Sequence, residues 1–131
     1  MATSLTKKLG IKSGYSILLH DEPVHYFELF VDFPEDVLVL DKIAPETADF
    51  IHLFFTTKEA MVREVPRYKK ALKKDGLMWV SWPKGASKME TDLKREPVRD
   101  YLLGIGLVDV KVAAIDEDWS GLKFVYRVKD R

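Results

Sequence analysis

The chain has 131 residues, 47% of them hydrophobic and 32% charged, enough apolar material for one core and enough charge for a soluble surface, so residues 1–131 read as one domain. Twenty-one basic residues balance twenty-one acidic ones, so no overall positive field draws nucleic acid, and no nucleic-acid partner is expected. The absence of cysteine removes disulfides, thiol catalysis and cysteine metal sites together, and fits a reducing compartment.

The start, Met1 to Lys8, carries no long apolar run, which argues against a signal peptide. No apolar run approaches the ~20 residues of a membrane span, so no membrane partner is expected. These features read as a cytoplasmic, bacterial-type soluble protein.

Ser4 to Leu9 reads as a short helix stopped by Gly10. Lys12-Ser13-Gly14 is a turn, and Tyr15 to Leu19 is the first strand. Its run Ile17-Leu18-Leu19 lacks alternation, as in a strand buried on both faces. His20-Asp21-Glu22-Pro23 breaks that strand. A short helix is expected from Val24 to Val31, then a turn at Pro34-Glu35-Asp36, then a second apolar strand from Val37 to Leu40.

Phe50 to Phe55 reads as a third buried strand. Thr56 with Glu59 forms a capping-box pattern that opens a helix to about Lys73. Met61, Val65, Tyr68 and Leu72 form its apolar stripe. Pro66 lies inside and is expected to kink or split it, since proline removes a backbone donor. Lys69, Lys70, Lys73 and Lys74 cluster near its end and read as a solvated face.

Leu77 to Trp82 is the fourth strand, and Gly85 to Thr91 a small polar loop. A helix begins near Arg95, with Pro97 in its first turn, and ends at Gly104. Asp109 to Ile115 alternates like a partly exposed edge strand. Asp116 to Gly121 is a tight connection to a last strand, Leu122 to Val128. So short a link cannot carry a parallel crossover, so the two strands are expected to be antiparallel.

This order gives an α/β fold with a mixed sheet, mostly parallel, closed by a C-terminal antiparallel hairpin, with helices on both faces. The successive segments Ala48 to Phe54, Leu72 to Leu77 and Gly106 to Val110 resemble the strand starts of Rossmann-like methyltransferases, over about Tyr15 to Val128. The blocks Lys8 to Lys12, Trp79-Val80-Ser81-Trp82-Pro83-Lys84, Thr91-Asp92-Leu93 and Trp119 to Phe124 are similar to those of a small stand-alone bacterial family of unknown function. That similarity spans nearly the whole chain and implies no activity.

Cofactor enzymes of the Rossmann type need a glycine-rich turn after the first strand, because glycine lets backbone N–H groups approach the cofactor. Here the turn is His20-Asp21-Glu22-Pro23-Val24-His25, without glycine. Its acids would repel a phosphate but not a sulfonium. Asp41 ends the second strand, where such folds keep an acid for a ribose hydroxyl. His20, Asp21, Glu22 and His25 lack the fixed spacing of a metal set and read as a polar loop. His52 alternates within an apolar strand and reads as a satisfied core histidine. Ser81 and Ser120 have no assigned histidine partner, so no catalytic residue, cofactor or metal is read.

The stronger candidate is a face at the carboxyl ends of the strands, where α/β folds bind ligands. Trp82 and Lys84 leave the fourth strand there, with Thr91 and Asp92 in the loop beyond. Trp119, Ser120 and Lys123 are expected opposite, on the closing hairpin. Tryptophans would supply flat walls and lysines positive charge, suited to a small anionic or aromatic ligand or a partner's loop. The competing reading has the tryptophans capping the core, and Lys84 and Asp92 forming a surface pair. The leading functional reading is a non-catalytic ligand-binding or regulatory module. The alternatives are a small divergent methyltransferase-like enzyme acting on an anionic molecule, and a self-associating interaction protein. A monomer or weak homodimer is expected.

Overall fold

A computed structural model describes residues 4–131. The part of the N-terminal reading that falls on the first three residues lies outside the described residues. Strands β1 (Ser16–His20), β2 (Leu38–Val39), β3 (Ala48–Phe54), β4 (Leu72–Pro83), β5 (Leu107–Ala114) and β6 (Trp119–Tyr126) form one sheet in the order β2-β1-β3-β4-β6-β5. The first four are mutually parallel, and β6 runs antiparallel to both β4 and β5. The mixed, mostly parallel sheet with its antiparallel end is therefore the one expected.

The sheet separates two cores. On one face, helices α2 (Lys58–Ala71) and α3 (Arg95–Gly104) pack Met61, Val65, Val98 and Leu102 against Ile51, Leu53, Met78, Val80, Leu122 and Phe124. On the other face lie helix α1 (Leu5–Leu9) and a 3-10 turn, Tyr26–Leu29, over Ile17, Phe50, Phe54 and Trp79. The side-chain period of two divides each strand between them. The Trp79 indole N–H donates to the Leu9 carbonyl at 2.8 Å and ties α1 to the sheet.

Local details depart from expectation for physical reasons. The segment Val24 to Val31 makes only the one 3-10 turn. Tyr26 and Phe30 anchor it, while Val24 and Val31 stand in solvent. β2 is two residues long and exposed rather than buried, because only β1 pairs with it. The N-cap of α2 is Thr57 rather than Thr56, its hydroxyl accepting the Ala60 N–H. The last strand starts at Trp119 rather than Leu122, since the link from β5 is shorter than expected.

α2 also runs unbroken through Pro66. Proline leaves the carbonyl four residues back, on Val62, without its helical donor. The Tyr101 hydroxyl, from α3, donates to that carbonyl at 3.1 Å and replaces the missing bond. The helix stays whole because its neighbour supplies the donor.

Candidate functional site at the carboxyl edge

The connection leaving β1 passes over one face of the sheet, and that leaving β3 passes over the other through α2. Adjacent parallel strands whose connections diverge leave a crevice at their carboxyl ends. Here that crevice is a cleft of 340 Å³ lined by Asp21, Glu22, Phe54, Phe55, Thr56, Ala60, Met89 and Trp119. A second groove, of 470 Å³, lies beyond Met89 and is lined by Trp82, Lys84, Thr91, Lys94 and Arg95 among others.

The seven residues picked from the sequence are thereby divided. Trp82, Lys84 and Thr91 share the second groove, with Asp92 next in the chain. Trp119 lines the first cleft. The register sets this split: Pro83 pairs with Trp119, and Trp82 with Ser120. Side chains alternate along a strand, so Trp82 enters the α2–α3 core and Trp119 the opposite one. Lys123 lies four rungs farther along, opposite Trp79, roughly 13 Å from Trp119 at ~3.3 Å per residue. It sits beside Gly10. Burial pushes its ammonium pKa down, and Lys111 and Lys12 add like-charge repulsion.

Several of these residues hold the edge together. The Thr91 hydroxyl donates to the Thr56 carbonyl at 2.6 Å, and an Asp92 carboxylate oxygen accepts the Lys58 N–H at 2.8 Å, capping α2. The Lys84 N–H donates to the Asp118 carbonyl at 2.8 Å. Among the described residues Lys84 and Asp92 form no ion pair. Trp119 meets the Phe54 ring edge-on at 5.0 Å between centroids. Gly121 is required two residues later, because a Cβ there would stand 2.8 Å from the Ser81 hydroxyl and 3.1 Å from the Trp79 ring.

The turn after β1 forms the acidic wall. Asp21 adopts φ 52, the left-handed conformation that glycine usually supplies. Asp21 and Glu22 are both exposed. His20 sets its Nδ1 3.1 Å from the Tyr68 hydroxyl and its Nε2 3.7 Å from the Asp21 carboxylate. His25 pairs with Asp116 at 3.0 Å and joins this turn to the β5–β6 hairpin. Asp116 also accepts the N–H groups of Asp118 and Trp119 at 2.8 and 2.9 Å. Burial alone would raise its carboxyl pKa, but His25 and the two amides outweigh burial and hold it below the usual carboxylate range. Asp41 is exposed and not among the residues lining the cleft.

Beneath the edge lies a hydrogen-bonded trio that the sequence did not pair. The His52 Nε2 is 2.7 Å from the Ser81 hydroxyl, and its Nδ1 is 3.0 Å from the Tyr26 hydroxyl. His52 and Ser81 are 0% exposed and Tyr26 1%. Burial pushes the His52 pKa down to about 3, so the imidazole is neutral and both nitrogens are satisfied. The trio has the atoms of a nucleophile–base pair but no exposed atom for a substrate to reach. His52 is the core histidine expected. Among the described residues, no group of three or more His, Cys, Asp or Glu could hold a metal ion, and no helix is long and apolar enough to cross a membrane.

Solved structures similar to this fold include methyltransferases. A putative type 11 methyltransferase from Sulfolobus solfataricus matches with a TM-score of 0.61 at 14% identity, covering 95% of this chain and 90% of that one. An S-adenosylmethionine (SAM)-dependent methyltransferase from Aquifex aeolicus matches with a TM-score of 0.59 at 16% identity, covering 92% and 86%. The Burkholderia thailandensis 1,6-didemethyltoxoflavin-N1-methyltransferase, with bound 1,6-didemethyltoxoflavin and S-adenosylhomocysteine, matches with a TM-score of 0.57 at 12% identity, covering 93% and 74%. These likenesses establish a methyltransferase-like fold. No protein-family model and no curated protein matches the sequence, so the similarity carried by the tryptophan blocks rests on those residues alone.

Proposed function

We propose that this chain is a divergent methyltransferase-like protein whose switch-point cleft binds a cationic small molecule with a flat ring, of the adenosyl-sulfonium class. One observation carries this reading: Asp21 and Glu22 line the same 340 Å³ cleft as Phe55 and Trp119. Two carboxylates repel a phosphate and attract a sulfonium, and aromatic walls suit both a purine ring and a cation. The left-handed turn at Asp21 supports it further, because it retains the backbone bend of a glycine loop without the glycine. The residues present therefore fit the group that the fold implies. When bound, such a cofactor supplies an electrophilic methyl group. Asp21 and Glu22 would hold its charge, and Phe55 and Trp119 would flank its ring. The His25–Asp116 pair would keep the acidic turn in place.

Thermal denaturation with S-adenosylmethionine and S-adenosylhomocysteine tests this. Ligand at ~100 times its dissociation constant adds ~2.7 kcal/mol of stability. The variant D21N/E22Q is expected to weaken the sulfonium ligand more than its neutral demethylated product. If neither ligand raises the melting temperature, the reading fails.

A second reading, a non-catalytic binding module, is favoured by one specific feature. Both histidines near the cleft are engaged, His20 with Tyr68 and His25 with Asp116, and the Ser81–His52 pair is sealed. A ligand that binds without methyl transfer to any of a panel of small acceptors would select it.

A further inference from the structure

At the opposite, amino end of the strands lies a cavity of 520 Å³ with contrary chemistry. Lys69, Lys70 and Lys74 line it together with Pro45, Ile105 and Tyr126, and Glu46 is the one carboxylate among its lining residues. The Lys74 ammonium stands 4.3 Å from the centre of the Tyr126 ring, and that of Lys69 5.6 Å.

Lysines in the last turn of a helix ordinarily serve its unsatisfied carbonyls. Here that work is done by others. The Tyr126 hydroxyl donates to the Lys69 carbonyl at 3.1 Å, and the N–H groups of Glu46 and Thr47 donate to the carbonyls of Lys70 and Ala71 at 2.9 and 3.0 Å. Glu46 makes its contact from φ 50, a left-handed conformation that a non-glycine residue adopts only when its surroundings compel it. The Lys69 ammonium donates a hydrogen bond to the Ile105 carbonyl. Among the described residues Lys70 and Lys74 form no ion pair. The pocket thus gathers positive charge beyond what the helix end needs, beside an apolar wall.

We propose that this amino-edge pocket binds a small organic anion, a phosphate- or carboxylate-bearing molecule with a flat apolar body. The lysines take the anionic group, and Pro45, Ile105 and Tyr126 take the body. The site is separate from the carboxyl-edge cleft and does not rest on the function proposed for it.

Amide NMR titrations with AMP, inorganic pyrophosphate and adenosine test the idea, since they carry charge with a ring, charge alone and a ring alone. The expected result is saturable AMP binding that moves the amides of Lys69, Lys70, Ile105 and Gly106. Pyrophosphate should bind more weakly and adenosine should leave these amides still. The variant K70E/K74Q should lose about tenfold or more in AMP affinity while remaining folded. The proposal is overturned by AMP shifts confined to the carboxyl edge, by a response that never saturates, or by unchanged affinity in the variant.

Discussion

The cleft at the carboxyl ends of β1 and β3 and the pocket at the amino edge differ in sign and in construction. The carboxyl edge presents Asp21 and Glu22 beside aromatic rings, whereas the amino edge presents Lys69, Lys70 and Lys74 around Tyr126. At the carboxyl edge the polar residues also tie the structure together: Thr91 and Asp92 bind α2's start, and Asp116 orders the hairpin. At the amino edge Lys70, on a helix end already capped by other groups, and Lys74, at the start of β4, are exposed side chains. A chain with zero formal net charge can thus carry two pockets of opposite charge. Total charge excludes a global footprint but says nothing of either edge.

The difference in construction can be broken by substitution. The largest effect is expected for W119A. Its side chain is 8% exposed and packed on Phe54, so truncation should cost about 3–5 kcal/mol in chemical denaturation and remove a wall of the acidic cleft. A stable W119A would separate site from core at that edge and undo the contrast. Next is G121A, whose new methyl would meet the Ser81 hydroxyl and Trp79 ring. About 1–3 kcal/mol is expected from the same measurement. Y101F, which takes the replacement donor from the Val62 carbonyl, should cost about 1 kcal/mol, with faster amide exchange in the first half of α2. At the amino edge K70E/K74Q should cost less than ~1 kcal/mol, mostly the lost contact between Lys74 and Tyr126.

Acid sharpens the same contrast. The Asp116 carboxyl has a folded pKa below its ordinary value of 3.8. Its stabilising contribution is therefore present above that value and lost as pH falls through the lower folded one. Melting temperatures of D116N should show a flatter decline over that acid range than the parent. An identical decline would remove Asp116 from the edge's support.

The sequence disclosed the frame better than the site. Ile17-Leu18-Leu19 and Phe50 to Phe55 announce buried parallel strands, and Pro97 in the first turn with Gly104 at the end marks α3, which spans Arg95–Gly104. These signals are local, and local pattern suffices. The register between β4 and β6 is not local. Placing Trp119 one rung from Trp82 puts the two rings on opposite faces, and nothing in either segment specifies that rung. The Ser81–His52 bond depends on the same kind of cross-strand placement. Pro66 misled for a related reason, since its repair comes from a tyrosine 35 residues later, on another helix. The acids of the cleft were visible as Asp21-Glu22-Pro23, but their meaning depended on Trp119 arriving beside them.

The strand order carries a consequence for how the chain comes into being. β6 is the last strand in sequence yet lies inside the sheet, between β4 and β5. A ribosome delivers residues from the N-terminus onward, so β4 and β5 emerge with a gap between them that only residues up to Tyr126 can fill. Until then Met78, Val80 and Leu107 lack the Leu122 and Phe124 side chains that complete their core. A nascent chain stalled before Trp119 should remain sensitive to protease, and the sheet should close only once residues up to Tyr126 have emerged.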